Sequence, residues 1–311
     1  MVYGITSFAA LGHCSYTRTP VSSNVSLRER KSNRLCSDSG GSKAMKLVVL
    51  VDNNTYIDQY YLGEPALSIY LENAGKKYLF DTGYSDVYVK NAAAMQLELA
   101  SLDAVIISHG HNDHTGGLAY FPVTKARPKL IAHPGIMDNK RAEGLNISIP
   151  VSEDYLRERF TPVFTKEPYW LDESLVFLGE IPRINAFENK EAVGELCCGA
   201  CWQGDYVLDD SALAYCASDG IYIITGCSHA GICNIVEYAK KVTGKEQVKG
   251  IIGGLHLFSG CSEQAVQTIA YLKANVRGTI YPCHCTNLAA KAALYGSLPL
   301  GEVGVGLALE W

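Results

Sequence analysis

The chain has 311 residues, of which 48% are hydrophobic, and a formal net charge of −5. That length can bury a full core as one large domain or two small ones, and the acidic balance leaves no electrostatic footprint for nucleic acid or an anionic membrane. No apolar run approaches the roughly 20 residues needed to span a bilayer.

Eleven cysteines, an odd and scattered set, do not read as a disulfide framework, so free thiols in a reducing cytoplasm are expected. Residues 1–44 hold Arg18, Arg28, Arg30, Lys31, Arg34 and Lys43 against only Glu29 and Asp38, with many serines and no periodicity. Such a stretch buries too little apolar surface to offset its ordering, and it is expected to be a disordered or non-native N-terminal extension. A transit peptide is the functional alternative, although no amphipathic helix supports it.

Met45 opens the first strong strand, and one domain is expected over 45–311. Strands are predicted at 46–52, 67–71, 77–80 and 103–108, with a helix over 84–96. The run Ser108-His109-Gly110-His111-Asn112-Asp113-His114-Thr115-Gly116 follows the apolar strand that ends at Ile107. Four potential metal ligands, His109, His111, Asp113 and His114, fall within six positions. Side chains alternate along a strand, so His109, His111 and Asp113 point one way if the chain stays extended. Neutral imidazoles and a carboxylate suit borderline divalent ions such as zinc, and so dense a cluster suggests two ions. The plainer reading is a polar loop rich in histidine by chance.

Further along, a helix is predicted at 116–121 with Thr115 as its N-cap, then a strand at 129–133 and a helix at 134–140. Residues 140–210 carry no clear periodicity beyond a strand at 175–178 and are expected to form an insertion or lid. Strands at 212–216, 221–225, 249–254, 278–282 and 303–309 then alternate with helices at 231–242, 262–275 and 286–295. Cys198-Gly199-Ala200-Cys201 has redox-pair spacing, but it stands alone and incidental thiols are the better reading. Cys283 and Cys285 flank His284 and alternate away from it, which predicts core thiols. His133 is expected to stay outside any metal site.

The motif at 108–116, with Gly226-Cys227-Ser228-His229, Gly253-Gly254-Leu255-His256 and His284-Cys285-Thr286, resembles the metallo-β-lactamase-fold superfamily. Within it the likeness is to the branch of the 7,8-dihydropterin-6-yl-methyl-4-(β-D-ribofuranosyl)aminobenzene 5′-phosphate synthase. The resemblance implies an α/β four-layer αββα sandwich of two mixed sheets. It also implies His109 and His111 as ligands of one metal, Asp113 and His114 as ligands of the second or as orienters of water, and His284 as completing the second site. Asp81, in Phe80-Asp81-Thr82-Gly83, would orient the histidines by hydrogen bonds; an ordinary capped turn is the alternative. Cys227 stands where many members carry a bridging Asp, or in some a Cys, and either a thiolate ligand or a buried thiol fits. No His occurs between His133 and His229, so His229 is taken to replace the superfamily's separate third histidine motif. This chain departs from the branch at Pro65-Ala66, where His-Gly is frequent, and at Asn287, where Gly is frequent.

The implied enzyme is a metal-dependent hydrolase of a small, phosphorylated, ester or lactone substrate, using a metal-activated hydroxide. Two divalent ions are expected, zinc first, with magnesium, manganese or iron as alternatives. Asp113 would hold the nucleophile, and His256 is the candidate proton donor. The alternatives are a dihydropterin-transferring synthase that releases pyrophosphate, and an iron-dependent oxidoreductase, against which His111 argues. The expected partner is a small molecule, with neither nucleic acid nor membrane.

Overall fold

The computed structural model describes residues 44–124 and 126–311, so the expectation for the N-terminal extension lies outside the described residues. The first part runs β1 (Lys46–Val51), β2 (Ser68–Asn73), β3 (Lys76–Phe80), α1 (Val87–Ala94), β4 (Ala104–Ile106), the short α2 (Asn112–Thr115) and β5 (Lys129–Ala132). A central stretch adds β6 (Lys140–Ala142), β7 (Leu145–Asn146), α3 (Glu153–Arg159), β8 (Thr161–Phe164), β9 (Tyr169–Trp170), β10 (Leu175–Phe177), β11 (Glu195–Cys198) and β12 (Cys201–Gly204). The last part runs β13 (Ala212–Ala217), β14 (Gly220–Thr225), α4 (Ile232–Thr243), β15 (Val248–Gly253), α5 (Glu263–Asn275), β16 (Val276–Pro282), α6 (Leu288–Tyr295) and β17 (Ala308–Glu310).

These strands build a seven-stranded sheet ordered β17-β1-β2-β3-β4-β5-β8 and a six-stranded sheet ordered β16-β15-β14-β13-β10-β9. Both are mixed: β3-β4-β5-β8 and β14-β15-β16 pair in parallel, the rest antiparallel. Strand alternation sorts the side chains into layers. Leu47, Val49, Phe80 and Ile106 of the first sheet meet Phe177, Leu213, Ile224 and Ile252 of the second in one buried cluster. The other face of the first sheet, with Leu50, Leu79 and Val105, is covered by Tyr88 and Ala92 of α1 and Leu156 of α3. The other face of the second sheet packs on α4, α5 and α6 through Ile235, Ala239, Leu272 and Leu294. This is the αββα sandwich.

A third, four-stranded sheet, β12-β11-β6-β7, lies wholly within 140–210, where the sequence showed no periodicity because its strands are two to four residues long. The helix expected at 134–140 is only a 3-10 turn, Pro134–Met137, and β6 begins at Lys140. Thr115 does not cap a helix: its hydroxyl donates back to the His111 carbonyl at 2.9 Å. Eight cysteines among the described residues are free, whereas Cys216 is disulfide-bonded, against the expectation of free thiols throughout. Among the described residues no helix is long and apolar enough to cross a membrane.

Candidate metal centre

Parallel strands in open sheets deliver side chains to one edge at their carboxyl ends, and ligand sites gather there. Asp81 follows β3, His109 follows β4, Cys227 and His229 follow β14, His256 follows β15 and His284 follows β16. All six converge. The rings of His109 and His111 lie 4.6 Å apart, His109 and His114 4.2 Å, His109 and His229 4.7 Å, and His114 and His284 4.9 Å. Among the described residues four sets of donor atoms lie within 4.8 Å of one another: His109, His111 and Asp113; His109, Cys227 and His229; Asp113, His114, Cys227 and His284; and Cys227, His256 and Cys285. Cys227 therefore sits between the halves of the cluster, with its Sγ 3.2 Å from His114 Nε2.

The loop can pass this close to its neighbours because of its glycines. A Cβ at Gly116 would fall 2.3 Å from the Tyr84 carbonyl oxygen, although its φ of −57° would suit any residue. Close approach, not an unusual turn, demands glycine there. Four non-glycine residues of the cluster do hold left-handed backbone: Asp81, Ser228, His256 and His284, with φ between 47° and 58°. Such conformations cost on the order of 1–3 kcal/mol each and concentrate where a site fixes side-chain direction.

Asp81 anchors the centre. Its Oδ1 accepts the Ser108 backbone N–H at 2.7 Å, and its Oδ2 accepts the Ser108 hydroxyl at 2.7 Å and His114 Nδ1 at 2.7 Å. A hydrogen on Nδ1 leaves His114 Nε2 free to bind a cation. The expected outcome for Asp81→Asn is a 10–100-fold loss of metal affinity, measured by chelator competition. His284 is held in the same way: its backbone N–H donates to Asp52 Oδ1 at 2.8 Å, and its Nδ1 lies 3.2 Å from Asn53 Oδ1. Beneath the loop, Asp209 Oδ2 accepts the Gly110 N–H at 2.7 Å, and Asp210 Oδ1 stands 3.9 Å from His109 Nδ1.

The donor chemistry fits a borderline divalent ion. Burial pushes His109 and His229 well below the ordinary imidazole range and His111 down to about 4, so these rings are neutral with lone pairs available. His111 Nε2 and both ring nitrogens of His229 are buried without a hydrogen-bond partner, an arrangement that costs about 1–3 kcal/mol per group unless a ligand satisfies it. Burial opposes ionisation of Asp113, but the charges of His114 and His284 outweigh it and hold the carboxyl below its usual range. Burial likewise opposes the charge on His114, yet Asp113 and Asp81 outweigh it and raise that ring to about 9. In the metal-free protein His114 thus carries a proton that an incoming cation must displace. Metal affinity is expected to fall about tenfold for each pH unit below 9 and to level off above it. Chelator titrations at pH 7, 8 and 9 check the slope, and a flat profile would remove the proton competition.

The cluster floors an open cavity of about 880 Å³ whose lining includes Asn54, Asn112, Ile147, Val193, Phe258 and Lys291. His256 lines it too, its ring 4.3 Å from His229 and its Nδ1 buried without a partner. Pro65 and Asn287, the two departures from the branch pattern, both line this cavity. His133 stays outside the cluster, as expected, with Nδ1 accepting the Gly135 N–H and Nε2 near Glu180. Cys198 and Cys201 are exposed Cα partners across β11 and β12.

Cys283 is buried between the sheets as expected, but Cys285 is not a core thiol. It lines the cavity, because β16 ends at Pro282 and the left-handed His284 (φ 48°) breaks the alternation on which the expectation rested. Lys140, Asp205, Asp209 and Asp210 were not singled out in the sequence. The adjacent acids before β13 were their only visible signal.

The metallo-β-lactamase superfamily family model matches residues 62–186. An uncharacterized protein of Methanocaldococcus jannaschii is 31% identical over 265 residues, covering 82% of this chain and 97% of the relative. The same organism's 7,8-dihydropterin-6-methyl-4-(β-D-ribofuranosyl)-aminobenzene-5′-phosphate synthase is 31% identical over 268 residues, covering 79% of this chain and 89% of that one. A crystal structure described as a metal-dependent hydrolase of the beta-lactamase superfamily superposes with a TM-score of 0.75 at 25% identity, covering 86% of this chain and 99% of the other.

Proposed function

This chain belongs to the metallo-β-lactamase superfamily, and from that membership we propose that it is a metal-dependent hydrolase of a small phosphoester, lactone or thioester. It is an enzyme, of either the hydrolase or the pterin-related transferase kind. The observation that carries the hydrolase reading is the overlap of His, Asp and Cys donor sets at the floor of an open cavity.

Two zinc ions, one on His109, His111 and His229 and one on Asp113, His114 and His284 with Cys227 between them, would supply Lewis-acid polarisation of a substrate oxygen and acidify a water. The chain's own groups do the rest. Asp113, ionised and facing the cavity, orients the attacking water. His256, beside the cluster, hands a proton to the leaving group. The amides of Asn54 and Asn112 offer hydrogen bonds to substrate. Ile147 and Val193, from the segment 140–210, wall the cavity as part of its cover.

A second reading rests on the 31% identical synthase: release of pyrophosphate from a dihydropterin diphosphate as an aminobenzene attacks. One panel separates the two. Zinc-loaded protein is assayed on phosphodiesters, lactones, thioesters and dihydropterin diphosphate, the last with and without an aminobenzene acceptor, beside Asp113→Asn. Hydrolysis of an ester class that falls about 10²–10⁴-fold in the variant is expected. Pyrophosphate release that requires the aminobenzene would favour the synthase, and turnover insensitive to chelation would overturn both readings.

A further inference from the structure

We propose a third cation position, held by Cys227, His256 and Cys285 at the edge of the cavity and selective for thiophilic ions such as zinc, cobalt(II) or cadmium. Three observations carry it. The donor atoms of these residues lie within 4.8 Å of one another, and a tetrahedral ion with one nitrogen and two sulfur ligands needs them about 3.5–3.8 Å apart, so side-chain adjustment of about 1 Å closes the set. The His256 backbone N–H donates to Cys285 Sγ at 3.3 Å, which holds the sulfur beside the ring, while the His256 Nδ1 is buried without a partner. The backbone also makes room for the sulfur: a Cβ at Gly254 would stand 2.5 Å from Cys285 Sγ and 2.7 Å from the Gly226 carbonyl oxygen.

This set takes His256 and Cys285 from outside the sets on His109 to His114 and shares Cys227 with them. Sulfur ligands select against hard cations such as magnesium. An ion here also takes His256 out of proton transfer, so excess zinc slows turnover; that consequence rests on the function proposed above.

Cobalt(II) is the probe, because its bonds to sulfur give near-ultraviolet charge-transfer absorption. Full-length protein is titrated with cobalt(II), and bound metal is counted after dialysis. Cys285→Ala is expected to bind one equivalent fewer than the native chain and to lose the sulfur charge-transfer absorption of that ion. His256→Gln is expected to lose the same equivalent. Should Cys285→Ala fail to fold, alkylation of the native chain decides: Cys285 should be protected from iodoacetamide by cobalt(II) and modified without it. Unchanged stoichiometry in both variants, or equal modification with and without metal, overturns the third position. Loss of metal in His111→Ala alongside that result would leave the proposed function standing.

Discussion

Replacing His111 with alanine is expected to remove bound metal and turnover together. The ring is 6% exposed, stacks edge-on against His109 and His229, and keeps a buried Nε2 with no other partner. Burial holds it neutral, at about 4, so at pH 7 no proton competes with a cation for its lone pair. Lewis-acid stabilisation in such centres contributes several kcal/mol to the transition state, which corresponds to about three orders of magnitude in kcat/KM. The fold should survive, since the ring sits at the cavity floor and not in a sheet-to-sheet layer. Metal content, kcat/KM on the best panel substrate and thermal unfolding of the chelated protein are the measurements. Native activity at native metal content would refute the assigned role, and a collapsed Tm in the chelated variant would mark the ring as structural.

The second large effect is on stability. Lys140→Met is expected to destabilise the protein by about 3–5 kcal/mol, the usual consequence of stranding buried charge. Lys140 Nζ, 2% exposed, lies 2.9 Å from Asp205 and 2.8 Å from Asp209. Burial would discharge the ammonium, but Asp209 and Asp205 outweigh it and hold its pKa above the ordinary lysine value. Since Asp209 also accepts the Gly110 N–H, the variant should bind metal more weakly as well as unfold sooner. Denaturant titrations of chelated and zinc-loaded protein separate the effects. Full stability in the variant would mean that the two carboxylates find water or protons at no cost.

The local chemistry was legible in the sequence because it depends on spacing. His109, His111, Asp113 and His114 are held together by the chain itself, and an apolar strand followed by a tight polar loop announces a site whatever the rest does. Strands with apolar runs, such as β14, and the amphipathic α4, closed by Gly244, were equally readable, since burial on both faces or an amphipathic period writes itself into the residues.

The resemblance pointed to His229 and His284, but only the tertiary structure showed which further distant groups meet that loop, and the reason is geometric. Beyond the last residue of a strand, alternation stops predicting direction: a left-handed residue at His284 or His256 turns its neighbour to the other side, which is how Cys285 came to face the cavity and Cys283 the core. The ion cluster of Lys140, Asp205 and Asp209 joins residues 65 and 69 positions apart, and no local pattern encodes such a pairing. Each charge there is tolerable only because the folded chain brings its counter-charge, so its meaning exists only in three dimensions.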